Sequence, residues 1–131
     1  MCALIAFVSW GNLSADGMRT FASLGIGKAQ GYVLLGDDCM RGGNYSRAVE
    51  HYYEALRRGK SYDAAYRLAS AYSYTGDVSR EVSALLWCVE YYPEQKPPYT
   101  QLLLLYPEES ARPSAVKEAI AKGYKLFGSL K

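Results

Sequence analysis

A chain of 131 residues is long enough to bury a core without disulfide staples and short enough for one domain. Half of it is apolar and 21% charged, and a formal net charge of +2 is too small for electrostatics alone to draw it to nucleic acid or a membrane surface. Cys2, Cys39 and Cys88 are odd in number, far apart and without a C-x-x-C pair, so no disulfide framework or zinc site is expected, and reduced thiols in a cytoplasmic setting fit best.

A repeat organises the elements. "GNLS" begins at Gly11, "GNYS" at Gly43 and "GDVS" at Gly76, at spacings of 32 and 33 residues, each between two runs of apolar periodicity. The unit predicted is a helix, a tight glycine turn and a second helix.

Residues 1–28 read as a partial first repeat. Shifted by one period, Ala3, Leu4, Phe7 and Gly11 fall on Leu35, Gly36, Cys39 and Gly43. "MCALIAFVSW" is then the back half of a first helix, with Phe7 and Trp10 packing on the helices that follow. "GNLSADGMRTFASLG" forms the second helix. A repeat begun so late implies a native protein extending upstream. The alternative is an export or membrane-anchor segment over residues 2–10. Against it, no basic residue precedes the apolar run, and Leu13-Ser14-Ala15 is a poor cleavage site. "LGIGKAQG" over Leu24–Gly31 resembles a phosphate loop, but Ala22 stands where that motif needs its first glycine and Ala29 where it needs Ser or Thr. It reads as a linker between repeats.

Residues 29–61 and 62–95 are the two clear copies. Leu35, Gly36 and Cys39 match Leu68, Ala69 and Tyr72, and Val49, Tyr52, Tyr53 and Leu56 match Val82, Leu85, Leu86 and Val89. Steps of three and four place each set on one helix face. Ser46 and Ser79 stand where an N-cap or first-turn residue is wanted. Gly43 and Gly76 take the positive φ that ends a helix and reverses the chain. Small Gly36, Ala48, Ala55 and Ala69 permit close helix approach. Residues 96–131 are a degenerate closing copy. "PPYTQLLLLY" is its first helix, "PEESARPS" replaces the glycine turn, and "SAVKEAIAKGYKLFG" is the second, striped by Val116, Ile120 and Phe127 with Ala119 and Gly123 in the smaller places. Terminal repeats are atypical because one face meets solvent.

This pattern resembles the tetratricopeptide repeat, a helix-turn-helix unit of 34 residues. Leu35, Gly36, Gly43, Tyr45, Ala48, Tyr52 and Ala55 carry the resemblance in one copy, and Leu68, Ala69, Tyr72, Gly76 and Pro93 in the next. Glu81 departs from it, standing where the other copy has Ala48. The resemblance implies an all-α, right-handed solenoid of about seven to eight helices, with a concave groove lined by the first helix of each repeat. It places Val33, Asp37, Met40 and Arg41 in that groove, then Asp63, Tyr66, Arg67, Ser70 and Tyr74, then Thr100, Gln101 and Leu104. The family's carboxylate clamp is not expected, because Val33 and Asp37 occupy two of its positions and Asp37 would repel a carboxylate. Tyr66, Arg67 and Tyr74 suit a peptide or helix with apolar anchors and an acidic residue. Tyr72 is expected to pack on the next helix. Tyr66 and Tyr74 divide evenly between packing and binding.

Nothing in the sequence marks an enzyme. His51, the single histidine, lies between Glu50 and Glu54 and is expected on the surface, and no signature supplies a triad. Glu54 and Arg58 are spaced for an i,i+4 pair. The basic stretch of Arg57, Arg58, Lys60 and Arg67 reads as a solvated helix end. No apolar run is long enough for a membrane-spanning helix. The leading expectation is a non-catalytic module that binds a protein or peptide, with no cofactor, metal, nucleic acid or small-molecule substrate. A structural piece of a larger or self-associating complex is the alternative, motivated by an exposed Trp87. An exported or membrane-tethered form is the third.

Overall fold

A computed structural model describes residues 28–131. The expectations for the first repeat, for Phe7 and Trp10, and for residues 2–10 as a signal or anchor lie outside the described residues. Six α-helices follow in order: α1 (Lys28–Arg41), α2 (Tyr45–Arg58), α3 (Tyr62–Thr75), α4 (Val78–Tyr91), α5 (Pro97–Leu105) and α6 (Ser114–Phe127), with a single 3₁₀ turn at Glu109–Ala111 before the last. There is no strand among the described residues. Six α-helices are present among the described residues, against the seven to eight expected of the whole chain, and the helices expected within residues 1–27 lie outside the described residues. No helix among the described residues is long and apolar enough to cross a membrane.

Each helix packs on its neighbour in the chain, giving the pairs α1–α2, α3–α4 and α5–α6, with α2–α3 and α4–α5 joining the pairs. The first two turns are built alike. Gly43 and Gly76 have φ of 79° and 80°. The amides of Asn44 and Asp77 donate back to the carbonyls of Cys39 and Tyr72, and those of Gly43 and Gly76 to Met40 and Ser73, which is the Schellman arrangement. The next helix then starts on a side-chain cap. Asn44 accepts from the Arg47 amide at 3.4 Å and Asp77 from the Arg80 amide at 3.1 Å. The capping residues are thus Asn44 and Asp77, and Ser46 and Ser79 sit in the first turn. The α5–α6 connection has no such glycine. There Arg112 donates to the carbonyls of Tyr106 and Pro107, satisfying the end of α5.

Glycine governs how closely two of the pairs approach. A methyl at Gly36 of α1 would clash with the outer edge of the Tyr52 ring of α2. In the last pair the roles reverse, since a methyl at Gly123 of α6 would sit 2.7 Å from the Tyr99 ring of α5. The middle pair uses Ala69 and Leu85, both buried.

The core runs between pairs as well as within them. One cluster joins Val33, Ala48, Tyr52 and Ala55 to Ala64, Leu68 and Ala71 of α3. A second takes Ala69 of the same helix with Leu85, Val89, Tyr99, Leu102, Val116 and Ile120. Helix α3 therefore buries two faces, one toward each neighbour. Past α6 the chain folds back, Leu130 is fully buried in the second cluster, and its carbonyl accepts from the Thr100 hydroxyl at 3.1 Å.

Candidate functional site

Two adjoining clefts open on the side formed by the first helices of the pairs. The first, about 290 Å³, is lined by Asp37, Met40, Arg41, Tyr52, Arg67 and Ser70. The second, about 210 Å³, is lined by Tyr66, Ala69, Ser70, Ser73, Tyr74, Glu81, Leu85 and Gln101. Ser70 belongs to both. Helices α1 and α3 supply most of the first cleft, and α3, α4 and α5 the second.

Electrostatics in the first cleft centre on Arg67. Its guanidinium donates to Asp63 at 3.0 Å, one turn away on α3, and to Asp37 of α1 at 3.1 Å. Asp37 also accepts from the Tyr52 hydroxyl at 2.5 Å. Burial, followed by that hydrogen bond, pushes the Tyr52 phenol well above its ordinary value, so it remains a donor. Arg67 is therefore already matched by two carboxylates and cannot serve as an unopposed anchor for an acidic ligand. Arg41, at the rim, pairs with Asp38 at 3.3 Å, largely in solvent.

The second cleft has a carboxylate at its base. Glu81, in the first turn of α4, is 3% exposed. It accepts from the Gln101 amide of α5 at 3.3 Å. Burial raises its pKa, against a smaller lowering by that bond. The two tyrosines frame this cleft differently. Tyr66 is half-buried against the second core cluster and stacks on Tyr62 at 5.7 Å. Tyr74 is 63% exposed and stacks at 4.8 Å on Tyr45, which begins α2 in the preceding pair.

Of the expected groove residues, Asp37, Met40, Arg41, Tyr66, Arg67, Ser70, Tyr74 and Gln101 line these clefts. Asp63 stands beside them, bonded to Arg67. Val33 does not: at 2% exposed it belongs to the first core cluster, where a branched apolar side chain gains most from burial. Thr100 is engaged by Leu130, and Leu104 is exposed away from either lining.

Two further expectations need correction. His51 is buried, at 4% exposed, with its ring 6.3 Å from that of Tyr32. Its position follows from Ala48, His51, Tyr52 and Ala55, spaced i, i+3, i+4, i+7 along the buried stripe of α2; that periodicity was the available signal. Trp87 is half-buried, not exposed. It packs on Tyr91 at 4.6 Å and lies 5.9 Å from Tyr92, and it lines a separate apolar cleft of about 360 Å³ with Tyr53, Leu56 and Tyr72. The basic stretch is exposed, and Arg57 and Arg58 close α2, as expected, but its members also find partners. Arg57 and Arg58 both reach Glu54, Arg58 lies over the Tyr32 ring, and Lys60 over the Tyr91 ring. Tyr72 packs against the first cluster, as expected. Glu81 stands out in the sequence as a departure from the repeat, but its place in a cleft depends on α3 and α5 packing around it, which local spacing does not show.

Among the described residues no group of three His, Cys, Asp or Glu is placed to hold a metal ion. The Cys88 thiol is buried, which pushes it up to about 12, so it is a poor nucleophile at neutral pH. No family model matches the chain. No curated protein matches it either.

Proposed function

We propose that the chain is a non-catalytic binding module of the tetratricopeptide kind, holding a peptide or partner helix along its first-helix side. The observation that carries this reading is the pair of open clefts meeting at Ser70, whose lining includes eight residues that the family resemblance assigns to a groove. Extended peptides are gripped by such runs of adjoining pockets, and Tyr and Arg are the residues most enriched among binding hot spots. On this reading the pairs wind as a right-handed solenoid. The module works in a reducing, cytoplasm-like setting suited to the free thiols of Cys39 and Cys88.

Selection from a random decapeptide display library tests it. Ser70 is exposed and shared by both clefts, so Ser70→Arg blocks each without touching the core. Selected peptides are expected to lose at least about tenfold in affinity for this variant, the equivalent of 1.4 kcal/mol. Binders indifferent to Ser70→Arg and to Tyr74→Ala would place recognition elsewhere. Self-association is the second reading, and exposed Leu104 and Leu126 favour it. A strict monomer by light scattering at high concentration would sink it.

A further inference from the structure

Glu81 is the described carboxylate taken furthest from solvent, and it lies at the base of a cleft instead of inside a sealed core. Burying a carboxylate is expensive unless a cation or several donors answer it. Among the described residues no Lys or Arg forms an ion pair with Glu81, and the hydrogen bond it accepts is the one from Gln101 Nε2 at 3.3 Å. A carboxylate has about four acceptor sites, so most of its capacity is unused. The surroundings match a cation's needs. Tyr66 and Tyr74 place aromatic rings along the cleft, and Ser70 and Ser73 add hydroxyl oxygens. Aromatic faces attract cations, and hydroxyls accept from ammonium. The volume of about 210 Å³ holds several waters at ~30 Å³ each, enough for an ammonium and its methylene stem. The neighbouring cleft offers an acidic ligand no comparable seat, because Arg67 is already shared by Asp37 and Asp63.

We infer that the cleft between α3, α4 and α5 is a seat for a lysine side chain of the bound peptide, with Glu81 as its counter-ion and Tyr66 and Tyr74 beside the stem. This rests on the peptide-binding reading and reverses its expected charge preference, from an acidic to a basic anchor. A compact ammonium on a flexible four-carbon stem needs only one carboxylate to answer it, whereas a planar guanidinium is suited to bidentate partners that this cleft does not offer.

Two measurements decide it. In the first, Nα-acetyl-lysine amide is titrated into the ¹⁵N-labelled protein, with the norleucine and glutamate amides and putrescine as comparisons. Saturable shifts at Glu81, Gln101 and Ser70 are expected with the lysine amide alone, and they should vanish in Glu81→Gln, which can keep the contact to Gln101. No saturable shift, or an equal one in Glu81→Gln, overturns the seat. Tighter binding of putrescine overturns its assignment to a peptide side chain. In the second, the decapeptide selection is repeated on the wild type and on Glu81→Gln. Selected peptides are expected to share a lysine and to lose about tenfold or more in affinity for the variant. Binders that lack a lysine, or that ignore the substitution, overturn the seat and leave the peptide-binding reading standing. A lysine-amide shift dependent on Glu81, with no selected peptide at all, does the reverse.

Discussion

The first and last helix pairs use one packing device in opposite orientations. In α1–α2 the glycine is on the first helix and the tyrosine on the second, Gly36 beneath Tyr52; in α5–α6 Tyr99 is on the first helix and Gly123 on the second. Both rings are buried. The difference lies in where each hydroxyl goes. Tyr52 donates to Asp37 and so enters the charged network of a cleft, whereas Tyr99 donates at 2.8 Å to the Pro93 carbonyl in the loop before its own helix. One contact between helices thus serves both packing and the candidate site, and the other serves packing alone. The middle pair, with Ala69 and Leu85, lacks the device, and its polar group is Glu81.

Tyr99→Ala should have the largest effect. Removing a fully buried ring costs about 4 kcal/mol, so the variant is expected to melt far below the wild type in thermal denaturation followed by circular dichroism. Next are the glycines. At Gly123 an added methyl meets the Cβ and Cγ of Tyr99, which the backbone holds, whereas at Gly36 it meets the outer edge of the Tyr52 ring. Overpacking, offset by the helix preference of alanine, gives about 2 kcal/mol for Gly123→Ala and about 1 kcal/mol for Gly36→Ala. Denaturant midpoints in the opposite order would mean that the two contacts are not one device. Combining Gly36→Ala with Tyr52→Leu copies the Ala69/Leu85 solution and should restore part of the loss.

Tyr52→Phe removes the bond to Asp37 at an expected cost of about 1 kcal/mol at neutral pH. The fold holds this phenol protonated, so its contribution is present below the ordinary tyrosine value and fades as pH rises above about 10. Stability measured from pH 9 to 11 should fall less steeply in the variant, and parallel curves would remove Tyr52 from the account. The smallest effect is expected at Glu81. Its carboxyl is raised, so the fold favours the protonated form, and that contribution is lost as pH climbs past the ordinary value of 4.5. Glu81→Gln should therefore gain about 0.5 kcal/mol at pH 7 and nothing at pH 4, the reverse of the loss expected at the tyrosines. A loss at pH 7 would make Glu81 a structural anchor.

Much of the architecture is legible in local chemistry. Glycine followed by Asn or Asp marks both Schellman turns, though the caps prove to be Asn44 and Asp77, with Ser46 and Ser79 in the first turn, and Pro97-Pro98 opens α5 where helix N–H groups have no partner. Gly36 and Gly123 were readable as small residues, though not as seats for tyrosines. The family resemblance also assigned eight of the residues that line the clefts. It misplaced Val33, which the first core cluster buries, and His51, expected on the surface beside two glutamates, lies on the buried stripe of α2. It also left Arg67 open as an anchor, since its second partner, Asp37, is 30 positions away on another helix.

The amino-acid sequence by itself determined the helices, their turns and their pairing in order along the chain, because caps, glycine conformations and apolar periodicity act within a few residues. What only the tertiary structure decided is the chemistry of the first-helix side. Arg67 is neutralised there by α1 and α3 together, and Glu81 is shut from solvent by α5 with an amide as its hydrogen-bond partner. Charge and burial at those two positions depend on side chains from different helices, and only packing sets which ones meet.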